Sequence, residues 1–105
     1  MSTTNVLDAY QDAAARTINP ALDDQQRLLD AAAGLAEEAG EALAHARKHV
    51  MQARALDREA LAKELGDALW CLAGAARCID MPLSEVAARN IDKLRKRHPN
   101  GFGPG

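Results

Sequence analysis

Aromatic residues are nearly missing from this chain, with one Phe, one Trp and one Tyr in 105 residues. Strands favour aromatic and β-branched side chains, whereas the abundant alanines and leucines here favour helices. An all-α fold is the expectation. A surplus of positive charge is also absent. Thirteen Lys and Arg face 15 Asp and Glu, for a net charge of -2, which argues against a nucleic acid polymer as partner. No apolar run approaches the roughly 20 residues of a membrane span, and MSTTNVLDAYQDAAARTI has neither the basic nor the apolar region of a leader. A cytoplasmic location without a membrane partner is expected. Cysteine is scarce. Cys71 and Cys78 fall about 10 Å apart along one predicted helix, too far to pair, and read as small half-buried residues. No Gly-rich phosphate loop of the G-x-x-x-x-G-K type occurs, so any phosphate site must be built by other means.

What the chain does have is a soluble composition, 48% hydrophobic and 27% charged. It reads as one domain spanning residues 1–105, small enough to gain from oligomerisation. Helical periodicity predicts a first helix from about Thr4 to Thr17, capped by Thr3 or Thr4 and stopped by Asn19-Pro20. A second, the longest, starts at Asp23 or Asp24 and runs to about Gln52. Asp57 is the expected cap of a third, ending near Asp80. Pro82 suits the first turn of a fourth that reaches about Lys96. Four helices with short connections make a bundle with a central antiparallel hairpin, and the ends, 1–4 and 101–105, are expected to be flexible.

The middle two helices carry nearly the same hexapeptide, Glu38-Ala-Gly-Glu-Ala-Leu43 and Glu64-Leu-Gly-Asp-Ala-Leu69. Both copies lie equally far from a point close to the expected turn, so an antiparallel hairpin sets them at one level. Glu38, Glu41, Glu64 and Asp67 then converge along an edge of the contact. Four carboxylates at close quarters repel unless a cation joins them. Ligands that are all oxygen, with no His or Cys, point to Mg²⁺, with Mn²⁺ as a substitute, and such an ion recruits phosphates. A single E-x-x-E is ordinarily a solvated helix face; two matching copies in register make that reading less economical. Gly40 and Gly66 hold the same phase in both copies, at a cost of about 1 kcal/mol each relative to Ala. They suggest either close approach by another backbone, such as a partner subunit, or neutral placement.

On the fourth helix Asn90, Lys93 and Arg97 share a stripe, so a cationic face accompanies the acidic one, as a polyphosphate requires. Trp70, beside Asp67 but off the apolar stripe, is a candidate for stacking on a nucleobase or for a contact with the first helix or a partner subunit. His45 and His49 sit at the spacing of zinc helices, yet the Glu of H-E-x-x-H is missing.

The segments LAEEAGEALAHARKH, ELGDALW and NIDKLRKRHPNGF resemble the MazG family of all-α nucleoside triphosphate pyrophosphohydrolases, whose E-E-x-x-E motif is followed by E-x-x-D. Glu37, Glu38 and Glu41 fill the first motif, and Glu64 and Asp67 the second. The resemblance implies Mg²⁺-dependent hydrolysis of an NTP or dNTP to monophosphate and pyrophosphate by a homodimer or homotetramer (a dimer of dimers). By position it makes Glu38, Glu41, Glu64 and Asp67 metal ligands and gives Asn90, Lys93 and Arg97 the substrate phosphates. Glu37 is left as a further ligand, a water-positioning base or an outer group. A phosphoribosyl-ATP pyrophosphatase and a noncatalytic helical module holding a structural metal are the alternatives.

Overall fold

The computed structural model describes residues 5–103. It is all-helical: α1 Val6–Ala15, α2 Asp24–Met51, α3 Arg58–Cys78 and α4 Leu83–Arg97. The expected caps Thr3 and Thr4 lie outside the described residues, as do 104–105 of the tail. Asn5 caps α1 instead, its side chain accepting from the Leu7 N–H at 2.8 Å. α2 opens with a capping box in which the Asp23 carboxylate accepts from the Gln26 N–H and the Gln26 side chain accepts from the Asp23 N–H. Such caps contribute about 1 kcal/mol. Asp57 caps α3 as expected, accepting from the Ala60 N–H. Pro82 is the N-cap of α4 and does not lie inside its first turn.

α2 and α3 form the antiparallel hairpin. Ala31 faces Gly74, Gly34 faces Cys71 and Glu41 faces Glu64, three pairs centred on one point of the chain. The close approach sits at Gly34, where a Cβ would lie 2.8 Å from the Cys71 Sγ. At Gly40 and Gly66 nothing of this chain comes within 4 Å of where a Cβ would stand, so no backbone of the same copy explains them.

Helix α4 has no capping side chain of its own, and α1 supplies one. Asp8 accepts from the Ser84 N–H at 2.9 Å and from its hydroxyl at 2.7 Å, and Gln11 Oε1 accepts from the Leu83 N–H at 3.0 Å. The Gln11 amide also donates to the Ala73 and Met81 carbonyls at 3.2 and 3.1 Å, so both its donors and its acceptor oxygen have partners. One glutamine thus ties α1, α3 and the start of α4 together. Around it lie Ala73, Ala76 and Leu83, with Tyr10 and Val86 packed against them. α2 packs on α3 alone; α4 meets α1 and α3 but not α2.

Candidate functional site

On the hairpin, Glu38 and Glu41 of α2 and Glu64 of α3 each bring a carboxylate oxygen within 4.8 Å of the others. Helical spacing puts Glu38 and Glu41 on adjoining turns of one edge, and the antiparallel register delivers Glu64 to them. Glu41 is exposed, whereas Glu38 Oε2 and Glu64 Oε2 are buried without any hydrogen-bond partner. The close contact with Glu64, then its charge and that of Asp67, raise the Glu41 pKa above the usual carboxylate value. Asp67 therefore belongs to the same field, but it stands outside the group within 4.8 Å. Burial, then Glu38, Asp30, Asp67 and Glu37 in that order, push the Cys71 thiol up, so it stays protonated and unreactive at neutral pH.

Buried carboxylate oxygens without donors cost free energy, and a positive ion is the simplest partner that satisfies several at once. Three oxygen donors on two rigid helices, partly open to solvent through Glu41, fit a hard divalent cation that keeps water or phosphate in its remaining positions. Glu37 is exposed and outside the close group. His45 lies near enough for its charge to lower the Glu41 pKa, while His49 is engaged with the Arg54 carbonyl at 2.6 Å, across the turn after α2.

Other sequence candidates lie apart from the cluster. Asn90, Lys93 and Arg97 are exposed on the second half of α4, which does not touch the helix bearing Glu38 and Glu41. Trp70 Nε1 donates to Thr17 Oγ1 at 2.7 Å, and its ring lines a crevice with Ile18, Leu22, Arg27 and Gly74. The contact with the first helix and its exit is therefore made. Sequence reasoning missed a neighbouring groove of about 550 Å³ lined by Arg16, Arg27 and Arg77, because those arginines are distant in the chain. It also missed Gln11 and Asp8, whose polarity on α1 reads as surface until α3 and α4 close on it.

The family model of the MazG nucleotide pyrophosphohydrolase domain matches residues 26–102. The chain belongs to the MazG family. The matched part of this MazG chain holds the hairpin, the acidic cluster and α4; α1, with Asp8 and Gln11, precedes it. Among curated proteins, the MazG chain is 35% identical over 107 residues to the "Gene 37 protein" of Mycobacterium phage L5, covering 94% of each. No solved structure gives a significant match. No described helix of the MazG chain is long and apolar enough to cross a membrane.

Proposed function

We propose that this MazG domain hydrolyses nucleoside or deoxynucleoside triphosphates to the monophosphate and pyrophosphate with Mg²⁺, or Mn²⁺ in its place. The supporting observation is the pair of buried, unpartnered oxygens on Glu38 and Glu64 beside Glu41, in a chain of this family. In this reading Glu38, Glu41, Glu64 and Asp67 hold the cation. When bound, the cation offsets triphosphate charge and makes a coordinated water more acidic.

The protein's own part is positioning. The close approach of Gly34 to Cys71 draws together the two helices that carry Glu38 and Glu64. Asn90 donates hydrogen bonds, and Lys93 and Arg97 contribute charge, to the phosphate oxygens, where negative charge builds as pyrophosphate leaves. The bond broken is one P–O bond of the anhydride bridge between the first and second phosphorus atoms; water adds its oxygen to the phosphorus attacked, and the bridging oxygen leaves with the other product. Glu37, exposed and outside the close group, serves as a further ligand, a water-positioning base or an outer group. Trp70 supplies an apolar face to the base, with its indole held by Thr17. A homodimer or homotetramer clearing surplus or noncanonical nucleotides is the setting we infer.

Purified protein incubated with Mg²⁺ and a panel of NTPs and dNTPs is expected to release pyrophosphate from at least one, and release from none overturns the reading. Glu38→Gln and Asp67→Asn are each expected to cut turnover by roughly 100-fold or more, the scale of losing electrostatic stabilisation of the reacting phosphates. Full activity in either variant removes that residue from the site.

A further inference from the structure

Three arginines meet at the open end of the hairpin, away from the carboxylate cluster. Arg16 follows α1, Arg27 stands near the start of α2 and Arg77 lies in the last turn of α3. The groove they line holds about 550 Å³, within the range of small-molecule sites, and Ile18, Pro20 and Gly74 give it apolar walls. Arg27 comes eleven residues before Glu38 on α2, about 16 Å along the axis, and Arg77 thirteen after Glu64 on α3, about 20 Å. The groove and the carboxylate cluster are therefore separate places.

Arg27 is the unusual member of the three. Its side chain is half-buried, and its Nε is wholly buried without a hydrogen-bond partner. Asp23, Asp24 and Asp30 lie three or four residues from it, the spacing at which a carboxylate reaches an arginine on a helix. None pairs with it: the ion pairs among the described residues are Arg77 with Asp12 and Arg89 with Glu85, and Asp23 is engaged by the Gln26 N–H. A guanidinium keeps its charge, so a buried N–H on it costs free energy until an acceptor arrives. Beside it is a crevice of about 20 Å³, room for one water-sized oxygen, that shares Ile18, Arg27, Gly74 and Cys78 with the groove. Arg77 is held loosely, 3.8 Å from an exposed Asp12, and Arg16 has no ion pair among the described residues, so both are free to turn to a ligand.

Charge and shape select the ligand. Guanidinium forks bind carboxylate and phosphate oxygens in pairs, and three forks exceed what the two oxygens of one carboxylate engage. A phosphate group offers three terminal oxygens and up to two charges. Asp24 and Asp80 also line the groove, so three cations face two carboxylates, and a chain of several phosphates meets repulsion where a single phosphate does not. We infer that this groove is a second binding site, taking the phosphate group of a small ligand, with one oxygen on the buried Arg27 Nε and the others on Arg16 and Arg77. The site stands whether or not the carboxylate cluster hydrolyses triphosphates. Free phosphate and a phosphate monoester share this chemistry, and the apolar walls favour an ester that carries an organic group.

Calorimetry in chelator tests it, because the carboxylate cluster without metal repels phosphate. At constant ionic strength, wild type is titrated with inorganic phosphate, ribose 5-phosphate and a set of nucleoside monophosphates, with acetate as the carboxylate control. At least one phosphate compound is expected to bind with a Kd below about 1 mM, and acetate at least about tenfold more weakly. Whichever phosphate compound binds most tightly identifies the source of the group. Arg16→Ala, at an exposed position, is expected to weaken that binding about tenfold or more, the scale of losing a charge-assisted hydrogen bond, and Arg27→Gln to weaken it at least as much. Asp24→Asn removes a repelling charge and is expected to tighten binding severalfold. Cys78 lines the groove while Cys71 is buried, so the rate of Cys78 alkylation by iodoacetamide, read by mass spectrometry, is expected to fall as the ligand saturates. Should Arg27→Gln fold poorly, Arg16→Ala and Asp24→Asn carry the test. No binding by any phosphate compound, or acetate binding as tightly, overturns the inference. Binding that Arg16→Ala leaves intact, or Cys78 alkylation unchanged at saturation, overturns it as well.

Discussion

Glu41 and Asp8 are carboxylates shifted in opposite directions, and the reason is what each faces. Asp8 accepts two hydrogen bonds from Ser84, which lower its pKa. A lowered folded pKa contributes stability above the unfolded value, about 4, and loses it as pH falls further through the folded value. Asp8→Asn is therefore expected to flatten the acid limb of a stability-against-pH curve below about pH 4, with lower stability at neutrality; thermal melts across pH check it. Glu41 faces Glu64 and Asp67, and its raised pKa has the reverse sign. The unfolded chain gives up that proton more readily, so in the absence of divalent metal, stability falls as pH rises past the ordinary glutamate value, about 4.3, toward the raised one. Glu41→Gln is expected to raise the melting temperature of metal-free protein at neutral pH. In the wild type, saturating Mg²⁺ or Mn²⁺ should itself raise it by roughly 10 °C or more, following about 2.7 kcal/mol at a hundredfold excess over Kd. The variant should lose most of that response. A melt in chelator and in metal for both proteins decides the matter.

At the scale of the helix pair, three glycines of α2 and α3 look alike in sequence and differ in structure. Gly34 touches Cys71, whereas Gly40 and Gly66 face open space within the chain. Gly34→Ala is expected to cost about 1–3 kcal/mol, because overpacking at 2.8 Å from the Cys71 Sγ outweighs the helical gain of alanine. The paired change Gly34→Ala with Cys71→Ala should recover much of it. Gly40→Ala and Gly66→Ala are expected to stabilise by up to about 1 kcal/mol each, as alanine does at an open helix position. Chemical denaturation of the set measures all four. A loss at Gly40 or Gly66 would reveal another copy's backbone there. The helix spans themselves were readable: Asp23 and Asp57 cap where their chemistry and the following apolar periodicity said they would. The start of α4 was harder to read, because its cap comes from Asp8 and Gln11, more than seventy residues earlier by contact.

For the whole molecule, the small core sets the behaviour. Ala31, Cys71, Ala73, Ala76 and Leu83 are its buried apolar residues, and none is a large aromatic. Folding that depends on a second copy becomes concentration-dependent. The melting temperature of wild type is expected to rise with protein concentration over a hundredfold dilution series, in step with the sedimenting mass; a melting temperature independent of concentration in a monomer would contradict the oligomer. Removal of residues 5–17 is expected to unfold the start of α4, since its first N–H groups then lose Gln11 and Asp8.

By itself the sequence determined the all-α class, the order of four helices, the register of the hairpin and the acidic group, because helical period, caps and a repeated hexapeptide are local properties that survive without a neighbour. Glu38, Glu41 and Glu64 were legible for that reason. Only the tertiary structure decided that Gly34 and not Gly40 or Gly66 makes the close approach, that Asp67 stands just outside the tightest cluster, that Trp70 is fastened to Thr17 and that the basic stripe stays away from α2. Each of these depends on how far apart two helices lie and which way one leaves the other, and distance between elements is set by the contact itself rather than by the residues along either helix alone.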